Sequence, residues 1–175
     1  MAAGDDEGFR AFVEQWWTPL TRTAYLLTGD RGHAEDLVQA ALEKTHRKWA
    51  RVAAMDAPQA YVRRAMVNTA VSWRRRRRVA EVPLLPSDAP PGSDVYRQVE
   101  QRQQVVAALR ELPPKMRAVL VLRYFEDLSE AEIAGALGCS VGTVKSQASR
   151  GLERLRAQLD PADPSRTDAL LGSHR

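Results

Sequence analysis

Apolar residues recur every three or four positions along most of the chain, and no stretch keeps the strict alternation of a half-buried strand. This spacing predicts three helical segments before residue 80, with turns at about residues 29–32 and 50–58. After residue 94 it predicts helices at about 95–112 and 114–125, followed by a pair of helices. The pattern therefore predicts an all-α fold.

Residues 80–94 interrupt the helical pattern with clustered prolines and a glycine. Proline lacks the backbone N–H and clashes with the preceding turn, so a helix cannot continue through this segment. We expect two small helical domains, residues 1–79 and 95–159, joined by a flexible linker at 80–94 and followed by a disordered tail at 160–175. Within the first domain, Pro19 is expected to kink the first helix or divide it in two.

The segment LSEAEIAGALGCSVGTVKS, residues 128–146, predicts two helices around a tight turn. Ser129 and Glu132 have the spacing of a capping box, in which each side chain satisfies an N–H at the helix start. Gly138 stands where the chain needs a left-handed residue, and Ser140 can cap the second helix. This arrangement is typical of a DNA-binding helix-turn-helix.

The second helix of this pair has an apolar stripe at spacings of three and four, formed by Val141, Val144, Ala148, Leu152 and Leu155. The residues beside that stripe are polar or basic: Thr143, Lys145, Ser146, Gln147, Ser149 and Arg150. Arginine can bind guanine through two hydrogen bonds, glutamine can bind adenine, and hydroxyls can reach base edges or phosphates. The polar face therefore suits a DNA major groove; an ordinary solvated helix in an α-hairpin is the alternative.

The third helix of the first domain carries a second polar strip. Its predicted buried stripe consists of Val62, Met66, Thr69 and Trp73, whereas Tyr61, Arg64, Asn68, Ser72 and Arg75 share a different face. An aromatic ring, an amide, a hydroxyl and two guanidinium groups can follow phosphates and hold an unpaired base. The strip therefore predicts single-strand recognition, while a nonspecific basic patch remains the alternative.

The net charge is only +4, but it is distributed unevenly over the 175 residues. Residues 1–43 contain eight acids and three arginines, whereas residues 61–78 contain seven arginines and no acid. In the second predicted helix, Asp36, Gln39 and Glu43 face outward, either into solvent or toward a partner. The opposite charges also allow the two domains to pack together and hide their DNA faces, which the spacing leaves open.

Catalytic and metal-binding patterns are not evident. The single cysteine excludes an internal disulfide, the three histidines are scattered, and the sequence has no phosphate-binding loop or nucleophile elbow. We therefore expect neither an enzyme nor a metal or other cofactor. An acidic start without a signal peptide, and the lack of an apolar run that spans a membrane, predict a cytoplasmic protein without a membrane partner.

Three motifs occur in one order along residues 9–158: YLLTGDRGHAEDLVQAALEKTHRKW, AYVRRAMVNTAVSWRRRRR and LPPKMRAVLVLRYFEDLSEAEIAGALGCSVGTVKSQASRGLERLR. Together they resemble the extracytoplasmic-function sigma factors of bacterial RNA polymerase. The tryptophan pair, LLTGD and YVRRA..N are similar to the actinobacterial SigE-like branch. The resemblance implies a sigma-2-like domain and a sigma-4-like helix-turn-helix domain. The sequence departs from many relatives at Gln147, where they have arginine, and at Tyr61, where they have tryptophan.

The resemblance also implies partners. It assigns residues 34–49, with Asp36, Gln39 and Glu43, to the β′ clamp helices of core RNA polymerase, with the β subunit as a further contact. Residues 50–58 resemble the loop that captures a base flipped from the minus-ten element, and the strip beginning at Tyr61 resembles the helix that lines that single strand. The linker would thread toward the polymerase active centre and RNA exit path. Residues 143–150 would read the minus-thirty-five duplex, and an anti-sigma protein is an additional partner that the resemblance allows.

Two other functions compete with a sigma factor. A polymerase-independent helix-turn-helix regulator, with the first domain used for dimerisation or signal sensing, would bind duplex DNA tightly by itself. An interaction protein, such as a basic RNA-binding adaptor or a sequestering partner, would bind RNA and show no promoter-dependent activity. Association with core polymerase distinguishes a sigma factor from both of these alternatives.

Overall fold

The computed structural model describes residues 3–76 and 94–159, together with residues 167, 169 and 171. Within these ranges the chain is helical, which confirms the predicted all-α class. The helices are α1 (Ala3–Thr28), α2 (Arg31–His46), α3 (Trp49–Ala53), α4 (Pro58–Arg76), α5 (Asp94–Glu111), α6 (Pro114–Tyr124), α7 (Glu130–Leu137) and α8 (Val141–Leu159). Apart from Asp94, which begins α5, the predicted linker lies outside the described residues.

Helices α1 to α4 form the first bundle. The predicted inward face of α2 is buried, from Leu37 and Val38 to Ala41 and Thr45, and it packs on α1 and α4. The α1–α2 connection is short because Gly29 adopts a positive φ of 73° and Asp30 caps α2 by accepting a hydrogen bond from the backbone N–H of His33. This bundle fixes the exposed sides of α2 and α4, which carry the predicted binding residues.

The sequence predicted that Pro19 would kink the first helix or divide it in two, and the structure shows that the helix is not divided. Helix α1 runs without interruption through this position. Proline removes the N–H that would bond to the carbonyl of Gln15, but both residues are exposed, so water can satisfy that carbonyl. Burial of the opposite face of α1, which includes Leu20 and Ala24, keeps the helix in one piece.

The segment 50–58 is not a simple turn. Its first residues belong to α3, which is held by hydrogen bonds from the backbone N–H groups of Arg51 and Val52 to the carbonyl of Lys48, each 3.0 Å long. Trp49 and Val52 are buried. The apolar contacts of these two side chains explain why part of this segment is helical, and α4 then begins at Pro58.

Helices α5 to α8 form the second bundle around α6. Every residue of α6 from Met116 to Leu122 is buried, so this helix has no solvated side over these two turns. A helix that is buried all round needs neighbours on several sides. Helices α7 and α8 cover α6 within the second bundle, while α1 and α4 contact it from the first.

The two bundles therefore pack against each other, with α1 and α4 on one side and α5, α6 and α7 on the other. The tail differs from the expected disordered end where it is described: Thr167 and Leu171 are helical and buried.

Candidate nucleic-acid interface

The helix-turn-helix has the capping interactions that the sequence predicted. The Oε2 atom of Glu132 accepts hydrogen bonds from the Oγ atom of Ser129 at 2.6 Å and from its backbone N–H at 2.8 Å. These side-chain and backbone bonds lower the pKa of the Glu132 carboxyl from its ordinary value of 4.5. Gly138 ends α7 at a φ of 64°, and Ser140 accepts a hydrogen bond from the backbone N–H of Thr143 at 3.1 Å. These local interactions fix the start of α7 and, through Gly138 and Ser140, the turn into α8.

Helix α8 presents its predicted polar face outward. Thr143, Lys145, Ser149 and Arg150 are exposed, and Ser146 and Gln147 are half-buried. Val144, Ala148 and Leu155 are buried on the opposite face. The helix is thereby anchored on one side and open on the other, as insertion into a groove requires.

Two positions on α8 differ from the predicted apolar stripe. Val141, the first residue of α8, is 39% exposed. Gly151 is buried although the stripe did not include it. An added Cβ there would lie 3.2 Å from Cδ1 of Leu120, so the glycine allows α8 to approach α6 closely.

Some polar groups on this face have partners within the protein. The hydroxyl of Ser146 donates to the backbone carbonyl of Thr143 at 3.0 Å, and the Thr143 hydroxyl lies 2.9 Å from that of Ser140. The Nζ atom of Lys145 lies 3.7 Å from a carboxylate oxygen of Glu130. These contacts orient the side chains. An exposed ion pair of this kind contributes little energy, so the lysine can readily leave the carboxylate and bind a phosphate instead.

The polar strip of α4 is partly engaged by the second bundle. Arg64 and Asn68 are exposed, while Tyr61 and Ser72 are half-buried. The Asn68 amide donates to the backbone carbonyl of Ala136 in α7 at 3.3 Å. Arg75 belongs to α4, but its side chain lies outside what the structure describes.

The predicted polymerase-binding residues share one open side of α2. Asp36, Gln39 and Glu43 are all exposed, whereas the alternate face of the helix is buried in the first bundle. The spacing of three and four residues aligns them along the helix axis. Contacts between the two bundles leave this acidic strip accessible.

Sequence reasoning missed the residues that join the bundles. Arg63 is next to Arg64 in the chain but points elsewhere: its guanidinium lies 5.7 Å above the ring of Trp16, and its Nε atom is 2.6 Å from Oε2 of Glu126. Arg117 is 2% exposed and donates to the backbone carbonyl of Leu27 at 2.7 Å. The side chains of consecutive residues in a helix point about 100° apart around the helix axis. This angle alone predicts that Arg63 and Arg64 lie on different faces of α4.

The described part of the chain contains no group of three or more histidine, cysteine or acidic side chains arranged to hold a metal ion. None of the helices described there combines the length and the apolar character that crossing a membrane requires. Cys139 is half-buried in the turn of the helix-turn-helix.

Two family models match the chain in the order of its bundles. The model described as "Sigma-70 region 2" matches residues 12–79, and "Sigma-70, region 4" matches residues 102–155. The first match contains the strips of α2 and α4, and the second contains the helix-turn-helix. The two matches thus cover all three sets of predicted binding residues, whose individual roles stay predictions.

Known proteins with this organisation are similar over nearly the full chain. The RNA polymerase sigma-E factor of Streptomyces avermitilis is 39% identical over 163 residues, which cover 93% of this chain and 91% of the relative. The sigma-E factor of Streptomyces coelicolor is 39% identical over 155 residues, covering 89% and 88%. The ECF RNA polymerase sigma factor SigE of Mycolicibacterium smegmatis is 31% identical over 168 residues, covering 90% and 65%.

A solved structure has the same fold. The sigma factor RpoE from Bartonella quintana, crystallised in complex with the anti-sigma factor NepR, superposes with a TM-score of 0.67 at 24% identity, covering 90% of this chain and 99% of that one. Family models, sequence relatives and fold agree with the resemblance found in the sequence. The chain belongs to the sigma-70 family of RNA polymerase sigma factors, in the extracytoplasmic-function group and its actinobacterial SigE-like branch.

Proposed function

We propose that this chain binds core RNA polymerase, directs it to specific promoters and helps to melt the minus-ten region. The observation that supports this proposal is that one chain presents two polar faces of different chemistry, on α8 and on α4. Helix α8 presents an exposed polar face beyond a capped turn, which suits a duplex, whereas α4 presents a strip with Tyr61 and Asn68, which suits an unpaired base. A regulator that binds duplex DNA alone needs only the first.

In this mechanism the protein contributes binding energy and the polymerase core carries out nucleotidyl transfer, so we propose that the chain itself is not an enzyme. The acidic strip of α2 binds the β′ clamp helices, and the β subunit supplies a second contact. Helix α8 fixes the position of the complex on the minus-thirty-five duplex. Capture of an unpaired base beside α4 then makes strand separation favourable, because the flipped base has a site to enter. An anti-sigma protein is a further proposed partner.

The test is reconstitution with core polymerase from a related actinobacterium, followed by mapping of transcript starts on fragmented genomic DNA. Discrete new starts that share two spaced elements, absent with core alone, are expected. Failure to bind core at moderate salt, together with no new starts, would favour the polymerase-independent regulator. An interaction protein of the third kind would bind RNA and produce no promoter-dependent starts.

Charge reversal tests the polymerase-binding strip. We expect Glu43→Lys to weaken binding to core polymerase, because Glu43 is exposed on the strip. Glu14→Lys, which makes the same charge change at an exposed position of α1, serves as the control and is expected to bind normally. Equal binding by both variants would argue against this surface.

Two substitutions separate the DNA faces. Arg150→Ala is expected to weaken minus-thirty-five binding by about 1–3 kcal/mol if the guanidinium binds a base through two hydrogen bonds. An equal loss on scrambled duplex would assign Arg150 to phosphate instead. Asn68→Ala is expected to reduce open-complex formation more than duplex binding, and permanganate footprinting with normal strand opening would reject that role.

A further inference from the structure

Val141 places an apolar side chain where a helix-turn-helix meets solvent. Among the residues that the structure describes, it is the one large hydrophobic side chain that is exposed, at 39%. It begins α8 and shares one strip of this helix with Lys145 and Ser149, which follow at spacings of four and are also exposed. Val141 therefore belongs to the open side of α8 and not to the core that contains Val144.

The first turn of α8 leaves the methyl groups of Val141 uncovered. The Ser140 hydroxyl accepts a hydrogen bond from the backbone N–H of Thr143 at 3.1 Å and lies 2.9 Å from the Thr143 hydroxyl. Gly142 has no side chain, and a Cβ added there would meet only the Oγ atom of Ser140, at 3.8 Å. The two hydroxyls thus have partners within the turn, and the backbone at Gly142 can approach a ligand closely. The isopropyl group of Val141 is the apolar group that this turn presents.

A DNA duplex offers one group that suits such a side chain. In a helix-turn-helix, the N-terminal residues of the second helix contact the base edges in the major groove. Thymine is the base that presents a methyl group there, whereas the other distinguishing groups are hydrogen-bond donors and acceptors. An isopropyl group forms no hydrogen bonds, but its contact with a methyl group removes apolar surface from water on both sides.

The surroundings of Val141 favour DNA over a protein partner. Protein interfaces use a contiguous apolar patch, and Val141 is a single apolar residue on a polar face. The exposed residues of the same face include two cations, Lys145 and Arg150. Cations of this kind bind the phosphates that border a groove and thereby fix the position of the helix within it.

We infer that Val141 is a specificity-determining residue of α8, whose methyl groups contact the 5-methyl group of one thymine in the bound duplex. This inference rests on the proposed function, in which α8 reads the minus-thirty-five duplex. The polar side chains of α8 recognise hydrogen-bonding groups, whereas Val141 recognises a group that forms no hydrogen bond. The preferred duplex therefore has a thymine next to the first turn of α8.

The test begins with a pool of short DNA duplexes of random sequence, from which the full chain selects those that it binds. The parent is expected to enrich one motif that contains thymine. Each thymine of the motif is then replaced in turn by deoxyuridine, which pairs with adenine in the same way and lacks only the 5-methyl group. At one position this replacement is expected to weaken binding about fourfold, the effect expected when one methyl group is no longer removed from water.

Substitution of Val141 shows which residue makes this contact. For Val141→Ser, the affinities for the thymine duplex and the uracil duplex are expected to be equal at that position, because the partner of the methyl group has been removed. Val141→Ile keeps a branched apolar side chain and is expected to keep the roughly fourfold ratio. Each ratio compares two duplexes with the same protein sample, so it does not depend on how much of a variant is folded.

Lys145→Met is the matched control, one turn further along the same strip. It is expected to bind the thymine and uracil duplexes more weakly by the same factor, because an ammonium group that binds phosphate does not read a base. Loss of the methyl preference in Lys145→Met as well as in Val141→Ser would contradict a contact made by Val141 itself.

Three outcomes would overturn the inference. They are a motif without thymine, equal affinities of the parent for thymine and uracil at every position, and an unchanged ratio in Val141→Ser, which would assign the methyl contact to another residue. A motif enriched in any of these cases would leave duplex binding by α8 in place. If the pool yields no enriched motif, the proposed minus-thirty-five role of α8 fails and the assignment of Val141 fails with it.

Discussion

At the scale of single residues, Arg117 shows how a buried cation can be satisfied by the backbone. Its Nε atom donates to the carbonyl of Leu109 at 2.6 Å, and its two Nη atoms donate to Leu27 at 2.7 Å and to Leu112 at 3.1 Å. These carbonyls lie at or just beyond the ends of α1 and α5, where helix carbonyls lack intrahelical partners and carry partial negative charge. One side chain therefore caps helices from both bundles.

Arg117→Met is expected to lower the free energy of unfolding by more than about 3 kcal/mol, because several buried carbonyls lose a charged donor. Arg123→Met is the control in the same helix. Arg123 pairs with Glu130 at 3.1 Å, but 38% of its side chain is exposed, so a loss of less than about 1 kcal/mol is expected. Urea denaturation measures the free energy of unfolding of both variants. Equal losses in the two variants would contradict the capping role of Arg117.

Two glycines of the helix-turn-helix isolate the effect of backbone conformation. A Cβ added at Gly135 or at Gly138 would meet nothing within 4 Å, but only Gly138 has a positive φ, of 64°. Gly135→Ala is expected to stabilise the protein by about 0.5–1 kcal/mol through helix propensity, and Gly138→Ala to destabilise it by about 1 kcal/mol through left-handed strain. Thermal unfolding of the two variants should shift in opposite directions; a shared direction would refute this explanation.

At the scale of elements, the start of α7 depends on the charge of Glu132. Folding lowers the pKa of the Glu132 carboxyl, so the ionised carboxylate stabilises the folded protein at pH values above the ordinary pKa of 4.5. This stabilisation is lost as the pH falls through the lowered pKa of the folded state. Glutamine keeps an acceptor oxygen at this position but does not titrate there. The parent is therefore expected to be more stable than Glu132→Gln near neutral pH, and this difference is expected to close in acid. Urea midpoints measured across this pH range test it, and a constant difference would argue against the charged capping box.

Local signals predicted most helices because caps and breakers act within a few residues. The capping box at Ser129 and the left-handed Gly138 appear as expected, and Pro114 begins α6 at the first helical position, where its missing N–H costs nothing. The failures were tertiary. Pro19 does not divide α1, whose other face is buried against neighbouring elements, and Val141, the first residue of α8, is exposed although the periodicity placed it in the apolar stripe.

At the scale of the whole molecule, the sequence left the packing of the bundles open because the contact rests on a few side chains far apart in the chain. Glu126 contacts both Thr23 and Arg63, and these three residues share no motif. Arg63 also belongs to the same YVRRA sequence as the exposed Arg64. The sequence did contain one signal of this packing, the uninterrupted apolar run 118–122 in α6. A helix that is covered on one side only has polar residues on its other side, so this run indicates that α6 is covered on several sides. The individual binding faces were predicted more readily because their side chains repeat within one helix.

Close packing also predicts that the bundles unfold together. All four tryptophans belong to the first bundle, at positions 16, 17, 49 and 73, so their fluorescence reports its unfolding, whereas far-ultraviolet circular dichroism reports the helices of both. Urea curves from the two probes are expected to coincide for the parent, since coincident transitions indicate one cooperative unit. They are expected to separate in Glu126→Gln, where the bundles lose a shared contact, and to coincide in Glu130→Gln, where the lost ion pairs are internal to one bundle. Separate curves in the parent would show that each bundle is stable alone, and the contact through Glu126 would then contribute little to folding.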